Sequence, residues 1–65
     1  MAGKWNSDTI EALRERTGQT QEMFAAELGV TVVTVNRWIK GHAVPSRLAR
    51  KMLNELASNL DREGR

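Results

Sequence analysis

Residues 20–41 restrict the fold more than any other stretch of the chain, because they contain two short helical segments separated by one glycine turn. Three apolar residues at helical spacing are followed at once by Gly29: Phe24, Ala25 and Leu28. Glycine is favoured just past a helix end, where the left-handed backbone conformation brings no Cβ clash. Thr31 is a suitable N-cap for a second helix, which Gly41 ends. Helices linked by three or four residues cross at a steep angle.

The remaining helices follow from similar boundary signals. Ser7 or Asp8 can begin a first helix that ends near Gly18, Thr20 can cap the next, and Pro45-Ser46 can open the last. The sequence therefore predicts an all-α fold in a single domain, residues 1–65. We expect helices over about 8–17, 20–28, 31–40 and 46–59, with frayed ends at 1–6 and 60–65.

Helical phase divides residues 31–40 into two faces. At about 100° per residue, Val35, Trp38 and Ile39 share one face, which we expect to be buried. Opposite them lie Val33, Arg37 and Lys40, with Asn36 to the side. Val32 falls between the faces, so its phase allows either packing against the preceding helix or exposure. Arginine can bond guanine bidentately and an apolar side chain can contact a thymine methyl, so the exposed face suits base reading.

Charge is unevenly distributed, although the net charge is only +2. No acidic residue occurs between Glu27 and Glu55, and that interval holds five cations: Arg37, Lys40, Arg47, Arg50 and Lys51. A one-sided basic surface is the footprint that phosphate binding requires. The alternative is an ordinary solvated basic surface without a partner.

Composition excludes several other classes of protein. With 65 residues the chain is near the lower limit for a core that holds without metals or disulfides. It has no cysteine, which excludes disulfides and thiolate metal sites. Neither a long apolar run nor a secretory signal is present, so we expect a cytoplasmic, nucleoid-associated protein without a membrane partner. The few aromatic residues fall at core positions, which leaves no stacking platform for single-stranded nucleic acid.

The sequence offers no catalytic or cofactor site. His42 is the only histidine and has no clustered carboxylates beside it, so a metal or general-base role lacks partners. The serine and threonine hydroxyls are explained as helix caps, and no glycine-rich phosphate loop occurs. We therefore expect neither enzyme activity nor a cofactor.

Apolar residues outside the central helices suggest a scaffold and a candidate dimer surface. Trp5 is expected to fold over the first helical turn as a staple. In the last helix Leu48, Met52, Leu56 and Leu60 recur every four residues. Leu48 and Met52, with Leu53, are expected to close the domain's own core. Leu56 and Leu60 either join that core or contact a second copy of the chain.

The run from Thr9 to about Ala57, some four-fifths of the chain, resembles the Cro/C1-type helix-turn-helix family, also called lambda-repressor-like or XRE domains. Residues at its defining positions are Thr20-Gln21-Glu22, Phe24-Ala25, Leu28-Gly29-Val30, Val35, Arg37-Trp38, Gly41 and Pro45. The segment after Gly41 is similar to that of short prokaryotic or phage regulators, including antitoxins. The resemblance implies a compact bundle of four or five helices whose third helix enters the major groove. Dimers that repress transcription from palindromic operators are implied as well.

Carried over to this chain, the resemblance assigns two sets of DNA contacts. The base-reading positions are Val32, Val33, Thr34 and Arg37. The backbone-contacting positions are Gln21, Thr31 and Lys40 with the loop that follows it. Three further candidates for backbone contacts come from position and charge: Asn36 beside the exposed face, His42 in that loop, and Arg47 among the cations of the basic interval.

The chain departs from the family pattern at three positions. Val32 and Val33 stand where polar residues are common, which favours thymine methyls or DNA shape as the feature that is read. Ile39 stands where an acid is common, and it can enlarge the core or dock a partner. A second function therefore stays open: a protein-interaction module of the antitoxin kind, whose Val32–Val33 patch and Leu56–Leu60 stripe bind a toxin or another protein.

Overall fold

Each helix begins at a polar side chain that caps it. The computed structural model describes residues 5–63, and within that range it has four helices: α1 (Ser7–Thr17), α2 (Gln21–Leu28), α3 (Val32–Ile39) and α4 (Arg47–Arg62). The side chains of the four N-caps each accept a hydrogen bond from the backbone N–H three residues on: Asn6, Thr20, Thr31 and Ser46. The expected caps at Thr20, Thr31 and Ser46 are confirmed, and so is the all-α fold.

A left-handed glycine produces the turn between α2 and α3. Gly29 has φ +76°, and its N–H donates to the carbonyl of Ala26 over 3.2 Å. Val30 then donates to Ala25 over 3.0 Å, which closes the end of α2. A residue with a Cβ is strained at this φ, so glycine allows α3 to start only three residues later, at Val32.

The core lies where the four helices meet. Its centre consists of one fully buried side chain from each helix: Ile10, Phe24, Val35 and Leu53. Leu13, Leu28 and Trp38 surround them and are also buried. Val35 and Trp38 anchor α3 to this core, so the orientation of that helix is fixed by packing.

The last helix differs from its expected form in two ways. It continues to Arg62 instead of ending at about 59, and Leu60 is buried in the core, so the expected fraying was wrong for residues 60–62. An ion pair between Arg16 Nη2 and Asp61 Oδ1 (2.8 Å) joins this end of α4 to α1. Residues 64 and 65, which belong to the same expected frayed end, lie outside the described residues.

Leu48 does not close the core, contrary to the expectation. Its side chain is 69% exposed, whereas Leu53 is fully buried and Met52 is half-buried. Five residues separate Leu48 from Leu53, so the two side chains point about 140° apart around the helix. The apolar residues that recur every four positions therefore lie outside the core at the start of α4.

The first helix begins at Ser7, one of the two expected start residues. Asn6 caps it and exchanges hydrogen bonds with Thr9 in a capping box. Trp5, which precedes this cap, packs against the core and donates from Nε1 to Asn54 Oδ1 on α4 (2.8 Å), so it also links the N-terminal segment to α4. Residues 5 and 6 are thus bonded rather than frayed; residues 1–4 lie outside the described range.

Candidate nucleic-acid interface

The outer side of α3, the helix that follows the α2–α3 turn, carries both polar and apolar side chains. Val33 is 58% exposed and Val32 38%, and Arg37 and Lys40 are exposed as well. Val35 and Trp38 are buried on the opposite side, as the helical phase predicts. Val32, whose position the phase left open, is thus the less exposed of the two valines.

Arg37 lies at the edge of a shallow notch between α3 and the loop that follows it. The notch has a volume of about 250 Å³, and its lining includes Thr34, Arg37 and Val44. The Thr34 side chain is half-buried, and its hydroxyl lies 3.0 Å from that of Thr31. Arg37 is exposed, so its guanidinium can reach outward.

The start of α2 and the side of α3 are joined by an amide pair. Asn36 Nδ2 donates to Gln21 Oε1 over 3.4 Å. In this bond the Gln21 amide oxygen is the acceptor, so the Nε2 group can donate to another partner. Gln21 is half-buried at the first residue of α2. Such a donor at a helix N-terminus is suited to a phosphate oxygen.

The N-terminus of α3 supplies further donors. The Thr31 side chain accepts from the Thr34 N–H over 3.2 Å, which satisfies one backbone group of the first turn. The N–H groups of Val32 and Val33 precede any partner within the helix. They lie beside an exposed surface and can therefore donate to an anion.

The residues after α3 that are predicted to contact the DNA backbone are all exposed. Lys40 caps the C-terminus of α3, His42 lies in the loop, and Arg47 is the first residue of α4. These three residues thus form a path that leads from the end of α3 to the start of α4.

The five cations of the acid-free interval are free to meet an external anion. The two ion pairs found within residues 5–63 use Arg14 with Glu11 and Arg16 with Asp61, both outside that interval. All five interval cations are exposed: Arg37, Lys40, Arg47, Arg50 and Lys51. Within residues 5–63, therefore, no ion pair neutralises their positive charge.

Sequence reasoning missed Val44 and the exposure of Leu48. Val44 is 79% exposed and lines the notch with Thr34 and Arg37. Only the folded loop brings these residues together, so no local pattern could reveal it. For Leu48 a signal existed, because its phase relative to Leu53 places the two on different sides of α4.

The two candidate dimer contacts differ in how much surface they offer. Leu60 is 7% exposed and is used by the chain's own core, so little of it is left for a second copy. Leu56 is half-buried and packs at the margin of the core.

Residues 5–63 contain neither a metal-binding cluster nor a membrane-spanning helix. No group of three or more metal-ligating side chains is close enough to hold a metal ion in this part of the chain. Within the same residues, no helix is long and apolar enough to cross a bilayer.

A short turn between two crossed helices, with the second helix exposed and basic, defines a helix-turn-helix protein. A family model described as helix-turn-helix matches residues 10–62. The chain belongs to the Cro/C1-type helix-turn-helix family, the XRE family. It is accordingly a DNA-binding regulator of that type. Searches of curated proteins and of solved structures gave no match.

Proposed function

We propose that the chain is a transcriptional repressor that recognises a specific sequence of double-stranded DNA with α3 in the major groove. One observation carries this proposal: α3 buries Val35 and Trp38 in the core and presents Val33 and Arg37 outward. A helix held in this way offers base-reading groups at fixed positions. An α-helix fits the width of the major groove, where all four base pairs can be distinguished.

The structure supports different roles for the four base-reading candidates. Arg37 has the reach and the donors for guanine O6 and N7. Val33, and Val32 to a smaller extent, can contact thymine methyl groups. Thr34 is half-buried against Thr31, so we assign its methyl group, rather than its hydroxyl, to a base edge.

Contacts to the DNA backbone then position α3 from both of its ends. Gln21, held by Asn36, and the N-terminus of α3 at Thr31 are proposed to bind phosphates on one side. On the other side, we assign phosphates to the exposed path of Lys40, His42 and Arg47. Such contacts fix register and orientation and carry no sequence information of their own.

The proposal includes a homodimer, at least on DNA, that reads two half-sites of a palindromic operator. One short α3 contacts only a few base pairs, and a two-fold dimer doubles the length of sequence that is read. Occupation of such a site at a promoter is the proposed means of repression.

Selection from a random double-stranded DNA library with the purified chain tests this function. At moderate salt we expect enrichment of a palindromic motif, and the spacing of its halves reports the dimer geometry. A lone half-site would refute the dimer on DNA but keep base reading by α3. Absence of any enrichment would overturn sequence-specific recognition.

A second candidate function is binding to another protein, as in an antitoxin. The exposed apolar side chains of Val33 (58%) and Val44 (79%) favour it, because such groups also suit a protein interface. The dependence of affinity on salt separates the two functions. Binding to DNA phosphates weakens steeply as salt rises, whereas apolar docking to a protein does not.

A further inference from the structure

An apolar cavity lies between the α2–α3 turn and the first half of α4. Its volume is about 310 Å³, and it is lined by Leu28 and Val30 on one side and by Leu48 and Met52 of α4 on the other. Ser46 supplies the one polar side chain of the lining. Leu48 is 69% exposed, so the cavity opens beside an unburied leucine. We call it the Leu48 cavity, and none of the residues predicted to contact DNA lines it.

Leu48 separates an apolar side of α4 from a basic one. At about 100° per residue, Met52, which lines the cavity, lies about 40° to one side of Leu48. Lys51 and Arg47 lie about 60° and 100° to the other side. Both cations are exposed, and neither takes part in the ion pairs found within residues 5–63. Glu55, the nearest acid of α4, is about 10 Å further along the helix, so the charge beside Leu48 is positive.

The N-terminus of α4 supplies hydrogen-bond donors beside the same leucine. Ser46 Oγ accepts from the Ala49 N–H over 3.2 Å, which leaves the hydroxyl hydrogen of Ser46 free to donate. The backbone N–H groups of Arg47 and Leu48 precede any partner within the helix. A carboxylate at such a position is also stabilised by the helix dipole. The start of α4 therefore favours an acidic group next to an apolar one.

We infer that the Leu48 cavity docks an acidic segment of a partner protein, with one bulky apolar side chain of that segment in the cavity. Carboxylates of the segment then lie over the start of α4, against Arg47 and Lys51. A volume of about 310 Å³ is at the lower end for pockets that enclose a whole small ligand, and it fits one or two side chains of a peptide. This surface differs from that of Val33 and Val44, since neither valine lines the cavity.

Charge complementarity is the argument for an acidic partner. The apolar lining gives a DNA phosphate no hydrogen bond, whereas a peptide brings an apolar side chain together with carboxylates. A second copy of the chain is disfavoured, because a two-fold contact uses one patch twice and places Arg47 and Lys51 of each copy beside the same cations of the other. Opposite charges across an interface speed the encounter, and like charges exclude a partner. An acidic segment is therefore the occupant that both the cavity and the charge beside it favour.

Docking and DNA binding compete for one side chain. Arg47 is proposed above to bind a DNA phosphate, and it lies on α4 directly before Leu48. An acidic segment held at the cavity occupies Arg47 and adds negative charge beside the DNA backbone. Binding of the partner should therefore release the chain from its operator. This consequence rests on the proposed function, whereas the docking itself does not.

The first experiment selects ligands from a displayed library of random peptides with the immobilised full chain, in the absence of DNA. We expect the enriched peptides to share one bulky apolar residue flanked by acidic residues. Absence of enrichment would overturn the inference, and so would a shared sequence that is basic or that lacks an apolar residue.

Fluorescence anisotropy with one enriched peptide then locates its site. Leu48→Ser removes an exposed side chain, so the fold is retained, and it should weaken peptide binding about tenfold. Met23→Ser is the matched control, because Met23 is 55% exposed in the first turn of α2 and does not line the cavity. It should leave the dissociation constant unchanged. Equal losses from the two variants would refute the Leu48 cavity as the site.

A second pair of variants tests the charge. Lys51→Gln removes the cation closest to Leu48 around the helix, and it should weaken peptide binding by up to about fivefold and reduce its dependence on salt. Arg50→Gln is the matched control, because Arg50 is exposed on the same helix but lies about 160° from Leu48. Equal losses would indicate attraction to net charge alone and would overturn the docking.

A titration of the peptide into the complex of the chain with its selected operator separates this inference from the proposed function. Release of the DNA supports competition, and a ternary complex would refute it. If no DNA motif can be selected but the peptide shows the variant effects above, the proposed function fails and the docking stands. A wild-type dimer that Leu48→Ser abolishes, as measured by sedimentation equilibrium, would place a second copy in the cavity and overturn the inference.

Discussion

Replacing Arg37 by alanine is the most direct test of how α3 recognises DNA. Arg37 is exposed and has no ion-pair partner among residues 5–63, so its removal breaks no contact of the folded chain that the structure shows. Alanine is also at least as good a helix former as arginine. The free energy of unfolding should therefore change by less than about 0.5 kcal/mol, the usual range for surface substitutions.

The loss in DNA affinity follows from the hydrogen bonds that the guanidinium can make. One bidentate contact to guanine contributes about 1–3 kcal/mol of discrimination against the wrong base. At 1.4 kcal/mol per factor of ten, Arg37→Ala should weaken binding to the selected operator by about 5- to 150-fold. Binding to random DNA should fall much less, because only the correct base pair offers both acceptors.

Fluorescence anisotropy with the operator and with a scrambled duplex measures both losses at several salt concentrations. Arg62→Ala is the matched control, because it removes the same charge from the end of α4, away from the candidate interface. Equal losses on the two duplexes would refute base reading by Arg37, since a phosphate contact weakens all sequences alike. An unchanged motif after selection with Arg37→Ala would refute it independently.

Three further predictions concern other contacts. Lys40→Ala should weaken operator and random DNA equally and reduce the slope of log affinity against log salt by about 0.9, as measured by the same titration; unequal losses would contradict a phosphate contact. Trp5→Phe keeps an aromatic side chain, smaller than the indole, and removes the N–H that donates to Asn54. Urea unfolding should show a loss of about 0.5–1.5 kcal/mol from that hydrogen bond, and a double variant with Asn54→Ala should show no additional loss from it. The hydrogen bond from Arg14 lowers the pKa of Glu11 below its ordinary value of 4.5. The pair therefore stabilises the fold, by about 0.2–0.5 kcal/mol, when Glu11 is ionised. Glu11→Gln should be less stable than the wild type at pH 7, and the difference should vanish as the pH falls from 4.5 through the lowered pKa; a constant difference would contradict this.

Features set by neighbouring residues could be predicted from the sequence. Thr20, Thr31 and Ser46 cap their helices, and Gly29 takes the left-handed conformation, because caps and turns depend on a few adjacent atoms. The phase of Val35 and Trp38 gave the buried side of α3 for the same reason. These local signals were sufficient to predict the fold and to predict which side of α3 is exposed at the candidate interface.

Contacts between distant parts of the chain could not be predicted in this way. Trp5 donates a hydrogen bond to Asn54 on α4, and Leu60 is buried although the adjoining residues are polar. Both depend on where α4 crosses α1, which the spacing of apolar residues in α4 does not specify. The notch that unites Thr34, Arg37 and Val44 is likewise a product of the loop's path.

The division of α3 into an anchored side and an exposed side has a consequence for the evolution of such a chain. Val33 and Arg37 contribute no buried surface to the core, so either can be exchanged without leaving a cavity. Val35 and Trp38 are constrained by their neighbours and resist change. Mutation can therefore explore new recognition surfaces on an unaltered scaffold, and a duplicated copy of the chain can diverge from its parent in a few substitutions while both remain folded.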